Sequence, residues 1–278
     1  MAALGSGSAD VGDRYRGLGR ISRSEVVSGI PGGTRDHYGV PYSFTEEFVA
    51  VYRMHPLIRD TWHPRSATDD RTLRHCSLRD VWGPGALKVL ESTGRADLLH
   101  SFGTLHPGLV TLHTFPGFLQ EFERPDGHLQ DLAVTDILRS REPGVPRCDE
   151  FRRRLLRPAA GFAELTDHPA WAEQIERLYD GDIEKVDLMV GLHAERPPAG
   201  FAFGDTAFRI FVPMASRRLN SDRFFTGHHT PEAYSGAGMA RIDGNSMITE
   251  LLRHHPELRP VLAGLTNAFG PWHTATGT

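Results

Sequence analysis

The sequence contains little cysteine, with only Cys76 and Cys148 among 278 residues. The two thiols form neither a CxxC motif nor a Cys/His zinc pattern. A disulfide framework is therefore not expected, and a reducing compartment fits the composition better, because disulfides are scarce there.

Long apolar runs are also missing. No stretch approaches the roughly 18 to 20 apolar residues that a membrane-spanning helix needs. The first residues, MAALGSGSADVGDRYRG, lack the basic region and apolar core of a secretory signal peptide. We therefore expect no membrane span and a cytoplasmic location.

Neither charge sign is in large excess, since 31 Lys and Arg residues face 35 Asp and Glu residues, for a net charge of −4. The signs are mixed along the chain, so no nucleic-acid or anionic-membrane surface is predicted. The motifs HExxH, GxGxxG, GxSxG and Walker A are absent. DGDIEKVD (180–187) alternates acids like a calcium loop, but the twelfth position holds Gly191 rather than Glu.

What the sequence does have is helical periodicity. Residues 1–42 are rich in Gly, Ser, Arg and Pro without a sustained pattern, which predicts a loop-rich arm. From Ser43 onward, apolar residues recur at helical spacing, and no convincing alternating strand or internal repeat is found. We expect a mainly α fold with one domain over 43–278, including helices near 84–102, 129–139, 170–179, 182–195, 206–219 and 245–255.

The stretch SFTEEFVAVYRMHPLI (43–58) predicts the first of these helices. Ser43 and Glu46 match a capping box, and Pro56 would end or kink the helix. Residues at i, i+4, i+7, i+8 and i+11 fall on one face, and these are Phe44, Phe48, Val51, Tyr52 and His55. The pattern therefore places a phenol and an imidazole on a buried face.

Two interpretations of His55 and Tyr52 remain open from spacing alone. A buried imidazole is either a core histidine with both nitrogens satisfied or an axial ligand to haem iron, with Nε2 on the metal and Nδ1 held by an acceptor. Tyr52, about one turn earlier, is either a core tyrosine or a redox-active phenol beside the haem.

Two adjacent arginines, Arg217 and Arg218, lie in ASRRLNSDRFFT (215–226), at the end of an apolar helical pattern. They are either structural, at the surface or paired with Asp222 or a helix end, or ligands for an acidic headgroup. The second interpretation rests on the guanidinium, which is always charged and can hold a carboxylate through two hydrogen bonds.

Several long stretches make the chain resemble fatty-acid α-dioxygenases, in the animal-type haem peroxidase superfamily that includes cyclooxygenases. The resemblance covers roughly residues 20–273 and corresponds to the C-terminal, proximal half of that family. It is carried by YGVPYSFTEEFVAVYRMHPLIRD (38–60), REPGVPRCDEFRRRLL (141–156), FAELTD (162–167), YDGDIEKVDLMVGLHAERPPAGFAFGDTAFRIFVPMASRRLNSDRFFT (179–226) and TNAFGPW (266–272).

The resemblance implies roles for individual residues. His55 falls on the proximal ligand of haem b, and Tyr52 falls on the radical tyrosine. Arg217 and Arg218 fall on a double arginine, one member of which binds the fatty-acid carboxylate. The implied partners are a fatty acid, dioxygen and hydrogen peroxide, and the implied product is a 2-hydroperoxide that can lose carbon dioxide to give an aldehyde one carbon shorter.

The resemblance also implies a further half that carries a distal histidine and a calcium-binding loop. Only 54 residues precede His55, so we expect that half, and any bound calcium, to come from additional sequence, such as a separate distal-half polypeptide. Two alternatives remain: a haem peroxidase acting on small reductants, and a truncated helical module without catalytic activity.

Overall fold

Helices dominate the computed structural model, which describes residues 43–224 and 226–275. The predicted arm at 1–42 lies outside these residues. The helices are α1 (Glu46–Val51), α2 (Pro84–Thr93), α3 (Arg95–Thr104), α4 (Gly117–Gln120), α5 (Leu132–Arg141), α6 (Cys148–Arg154), α7 (Phe162–Leu165), α8 (Pro169–Leu178), α9 (Leu188–Ala194), α10 (Asp205–Ser221), α11 (Pro231–Gly244), α12 (Met247–His254) and α13 (Arg259–Leu262). The prediction of a mainly α fold is confirmed.

Two short antiparallel strand pairs, which the sequence pattern does not predict, accompany the helices. The strands are β1 (Thr61–Trp62), β2 (Cys76–Ser77), β3 (Phe122–Glu123) and β4 (Leu129–Gln130). The pairs are β1 with β2 and β3 with β4. Strands of two residues are too short for a period-2 pattern to stand out in the sequence.

The predicted helices differ from the observed ones mainly at their ends. The helix expected at 84–102 is two helices, because Gly94 adopts φ +84° between α2 and α3. The helix expected at 182–195 divides into a 3-10 turn, Ile183–Lys185, and α9. Asp182 does cap that turn, since its side chain accepts a hydrogen bond from the N–H of Glu184.

The described residues divide into two compact units. The first contains Arg59–Pro107 and the described part of Gly227–Thr278, and the second contains Gly108–Thr226 and the described part of Val11–Ile58. All four residues singled out from the sequence lie in the second unit. The single domain expected for 43–278 remains a prediction.

The core of the second unit is built by α1, α9 and α10. Residues on one face of each helix are buried together: Phe48, Ala50, Val51, Leu188, Leu192, Ala207, Ile210 and Met214. In α10, Ala207, Ile210 and Met214 follow the i, i+3, i+7 spacing of one helical face. Among the described helices, none is long and apolar enough to cross a bilayer.

Helix α1 is shorter than the sequence pattern predicts. Its N-cap is Thr45, whose hydroxyl accepts a hydrogen bond from the N–H of Phe48 at 3.3 Å, so the capping box assigned to Ser43 is wrong. The helix ends at Val51, and Tyr52 is its C-cap. A separate 3-10 turn, His55–Leu57, follows. Pro56 has no N–H and cannot continue the helical hydrogen bonds through this region.

Candidate functional site

His55 is oriented by a buried carboxylate. Its Nδ1 lies 3.5 Å from Oδ2 of Asp136, and both atoms are buried and form no hydrogen bond. The ring contacts Phe115 with centroids 5.5 Å apart, and 29% of the side chain is exposed. The contact favours the tautomer with the proton on Nδ1. Within the described part of the chain, Nε2 has no protein partner.

Asp136 lies on α5 and is itself held in place. The helix begins at Asp131, whose side chain caps the N–H groups of Ala133 and Val134. Arg53 Nε lies 3.0 Å from Asp136 Oδ1. Burial raises the pKa of the Asp136 carboxyl above its ordinary value, although the positive charges of Arg53 and His55 oppose the shift. The result is an ordered row of Arg53, Asp136 and His55.

His193, on α9, adds a second imidazole close to His55. It is 7% exposed, and burial, followed by the nearby charge of His55, lowers its pKa to about 4. His193 is therefore neutral at pH 7. An uncharged neighbour does not repel a cation bound at His55.

This arrangement fits an axial ligand of haem iron. Metal-bound histidines generally donate their other ring N–H to a carboxylate or carbonyl, which fixes the ring and raises ligand basicity. The unsatisfied Nδ1 of His55 faces the unsatisfied Oδ2 of Asp136, so Nε2 is the nitrogen left for a metal. The described residues contain no cluster of three or more His, Cys, Asp and Glu side chains suited to a metal. A single imidazole suits an iron that a porphyrin already holds.

Tyr52 is not on a buried face, so the sequence expectation is wrong for this residue. It is 58% exposed, because α1 ends before it and Tyr52 caps the helix. Its ring stacks on Phe211 of α10, with centroids 6.3 Å apart and an interplanar angle of 9°. Phe48 and Phe203 extend the row, at 5.5 Å from Tyr52 and 5.8 Å from Phe211. The aromatic row fixes the position of the phenol.

The structure separates the two arginines. Arg218 forms an i,i+4 ion pair with Asp222, with Nη1 and Oδ2 3.0 Å apart. Arg217 lies three and seven residues after the core residues Met214 and Ile210, on the same side of α10. Its Nε is buried and has no hydrogen-bond partner. A buried guanidinium nitrogen without a partner is costly and points to a ligand.

Sequence reasoning missed Arg53, Asp136 and His193. Asp136 and His193 lie beside His55 through the packing of α5 and α9, which no local spacing encodes, and Arg53, two residues before His55, is identified by its contact with Asp136. The only available signal was that Asp136 lies within a predicted helix, at 129–139, where a carboxylate on a buried face would need a partner.

Comparison with known proteins gives a consistent result. The profile of the animal haem peroxidase family matches residues 18–263. Alpha-dioxygenase PIOX of Pisum sativum is 36% identical over 95% of this chain and 43% of its own length. Alpha-dioxygenase 2 of Arabidopsis thaliana is 37% identical over 89% of this chain and 42% of its own length.

A solved structure shares the fold. The fatty acid alpha-dioxygenase of Oryza sativa, as a tyrosine-to-phenylalanine variant with palmitic acid, superposes with a TM-score of 0.77 at 35% identity. The match covers 87% of this chain and 42% of that one. This chain therefore spans less than half the length of the relatives it matches.

Proposed function

The chain belongs to the animal haem peroxidase family, and on that premise we propose that it forms the proximal half of a haem-dependent fatty-acid α-dioxygenase. The observation that carries the proposal is the contact between His55 Nδ1 and Asp136 Oδ2, which leaves Nε2 for iron. The similarity to alpha-dioxygenases supports the choice of reaction.

In this proposal, His55 Nε2 holds the iron of haem b. Asp136 accepts a hydrogen bond from the Nδ1–H of His55 and keeps the imidazole plane fixed, and Arg53 keeps Asp136 in place. Haem, when bound, would supply one-electron oxidising chemistry driven by hydrogen peroxide. The neutral His193 keeps the surroundings of His55 free of a second positive charge at pH 7.

Tyr52 acts on the substrate. As a phenoxyl radical, it takes a hydrogen atom from Cα of the fatty acid, dioxygen adds to the carbon radical, and the resulting peroxyl radical takes a hydrogen atom back from the Tyr52 hydroxyl. The product is a 2-hydroperoxy fatty acid, which can lose carbon dioxide and water to give an aldehyde one carbon shorter. Such a reaction depends on holding Cα beside the phenolic oxygen, because the gain from positioning is large.

Arg217 positions the substrate. Its guanidinium, whose Nε is buried without a hydrogen-bond partner, binds the fatty-acid carboxylate, and α10 also carries Phe211, which stacks on Tyr52. One helix therefore places both the carboxylate ligand and the ring that orients the radical. Phe201 and Phe203, whose rings both contact that of Phe208, would line part of an apolar channel for the alkyl chain together with Phe208.

Other components of the activity are proposed to lie outside this chain. A distal histidine and a calcium-binding loop would come from additional sequence, either in a longer polypeptide or in a separate distal-half polypeptide. The cytoplasm is the proposed location.

The ligand role of His55 is tested by adding hemin to the full chain and recording the Soret band. His55→Ala should abolish the tight, histidine-ligated spectrum. His128→Ala, which removes an imidazole whose side chain is 81% exposed, should leave the spectrum unchanged. Equal binding by wild type and His55→Ala would remove His55 from the site.

The role of Tyr52 is tested with palmitate, dioxygen and hydrogen peroxide, with products identified by mass spectrometry. Wild type, combined with the additional sequence that carries the distal half, should form the 2-hydroperoxide or the shortened aldehyde. Tyr52→Phe should lose this oxygenation and keep peroxidase turnover of a small reductant. Oxygenation by Tyr52→Phe at the wild-type rate would overturn the radical assignment and favour a peroxidase acting on small reductants.

A further inference from the structure

The first unit presents two histidines on the outer face of the β1–β2 hairpin. Trp62 pairs with Cys76, and both side chains are buried with Val89. Because successive side chains in a strand point to opposite faces, the next residues, His63 and His75, point outward. Both are exposed.

The backbone just beyond the paired strands brings these two imidazoles close together. The strands pair Thr61 with Ser77 and Trp62 with Cys76, but further on Arg65 bridges Thr72 and the N–H of Leu73 donates to the carbonyl of Pro64 at 2.8 Å. The register therefore shifts by one residue between these contacts, as in a β-bulge. The two imidazole rings lie with centroids 4.5 Å apart at 64°.

The backbone that carries His63 and His75 is held in place by contacts on the buried face of the hairpin and at the turn that follows β1. Trp62 stacks on Phe102 at 5.4 Å. At the turn, Arg65 Nε donates to Oδ1 of Asp70 at 2.9 Å, and the fully buried His100 contacts the same carboxylate oxygen at 3.1 Å. Little conformational freedom then remains to be lost when a ligand bridges the two imidazoles.

We propose that His63 and His75 form a surface site for a borderline divalent transition-metal ion such as Zn²⁺ or Cu²⁺, which imidazole binds well. With metal–nitrogen bonds of about 2.1 Å and about 1.1 Å more to the ring centre, two imidazoles on one ion have centroids roughly 4.5 Å apart at a nitrogen–metal–nitrogen angle of about 90° and roughly 5.2 Å apart at a tetrahedral angle. The observed spacing of 4.5 Å matches the 90° geometry typical of Cu²⁺, and the two exposed side chains need to separate by less than about 1 Å to hold Zn²⁺. No third His, Cys, Asp or Glu joins the pair among the described residues, so water or an external ligand completes the coordination.

The proposal is tested by calorimetric titration of the full chain with Zn²⁺, without added haem. His63→Asn and His75→Asn should each weaken the tightest site at least about tenfold, because either change ends two-point attachment. For the same reason, the double variant should be little weaker than either single variant. His106→Asn, which removes an exposed histidine from the same unit, should bind like wild type.

A second measurement uses wild type only. Zn²⁺ should slow the modification of His63 and His75 by diethylpyrocarbonate, as read by peptide mass spectrometry, and should leave the rates at His106 and His128 unchanged. Zn²⁺ should also raise the Tm of wild type but not that of the double variant. Wild-type affinity in either single variant, or no protection of the pair, would place the ion elsewhere and overturn the proposal.

Discussion

Arg217 and Arg218 are neighbours in the sequence but differ in what they contact. Arg218 is satisfied by Asp222 at a half-exposed position, whereas Arg217 has a buried Nε without a partner. Neither the sequence nor the family resemblance could separate them, because the difference depends on which side of α10 faces the core. The structure therefore selects Arg217 as the proposed carboxylate ligand.

Arg217→Gln should weaken palmitate binding by about 1.5 to 3 kcal/mol, the usual value of a hydrogen bond to a charged group. This is roughly 10- to 100-fold in the KM for palmitate. Turnover of a small uncharged reductant should not change, since it has no carboxylate. The matched variant Arg218→Gln should change palmitate KM little, and a larger effect from Arg218→Gln would reverse the assignment.

His193 makes stability depend on pH. Its folded-state pKa of about 4 lies below the ordinary value of 6.5, so between these values the unfolded chain binds more protons than the folded one. Stability therefore falls as pH drops from about 6.5 to 4 and is fully retained above 6.5. At pH 5, the free energy of unfolding is lower by about 2 kcal/mol than its value above pH 6.5.

His193→Gln, which cannot titrate, should lose less stability than wild type between pH 7 and pH 5. Urea unfolding of both proteins at the two pH values, without haem, measures the difference. Comparing wild type with the variant cancels the opposite contribution of Asp136, whose raised pKa favours the folded state at lower pH. Equal losses in both proteins would show that His193 does not carry the effect.

At the scale of single elements, α1 and α10 show what local patterns can predict. The apolar face of α10 follows helical spacing over 17 residues, and the sequence prediction at 206–219 was close to its observed extent. The pattern at 43–55 was equally regular, yet α1 is only six residues long. The difference arises from Tyr52 onward, where Pro56 prevents the helix from continuing. There, contacts with Phe211 and Asp136 set the directions of the Tyr52 and His55 side chains.

The contact between α6 and α9 depends on the absence of a side chain at Gly191. A Cβ built at this position would lie 2.0 Å from Sγ and 2.6 Å from Cβ of Cys148. Cys148 is 1% exposed and cannot move outward without shifting α6. Gly191 therefore allows two helices to approach at a distance that any other residue would prevent.

Gly191→Ala should destabilise the chain by about 1 to 3 kcal/mol, the usual cost of overpacking. The matched variant is Gly236→Ala in α11, where a Cβ meets nothing within 4 Å. There, alanine should be close to neutral, because Gly236 directly follows the kink at Ser235, whose φ is +66°. Urea unfolding measures both, and a Gly191→Ala protein as stable as wild type would contradict the close packing.

At the scale of the whole molecule, long-range organisation was predicted by family resemblance and not by local patterns. The helical spacings predict an α fold but contain no information about which helices meet. The stretches 38–60 and 179–226, which contain His55 and the two arginines, resemble the same family. The family profile over 18–263 confirms that the chain belongs to it. The division into two compact units and the row Arg53–Asp136–His55 could not be predicted from the sequence, because both bring together residues that are distant in the chain.

The second unit exposes aromatic surface around Tyr52. Phe44 and Tyr52 are 59% and 58% exposed, and their rings are joined through Phe48 at 5.6 and 5.5 Å. Contiguous exposed apolar surface promotes association. The relatives are more than twice as long as the segment they share with this chain, so they have further sequence that could cover an equivalent surface.

We therefore expect the chain, on its own, to self-associate as its concentration rises. Phe44→Ser should weaken this association, because it removes a large apolar side chain from the aromatic surface. Leu156→Ser, which changes a residue that is 90% exposed but lies outside that surface, should not. Size-exclusion chromatography with light scattering over a series of concentrations measures the apparent mass of each protein. A wild type that stays monomeric throughout, or equal effects of the two substitutions, would show that the aromatic surface does not drive association.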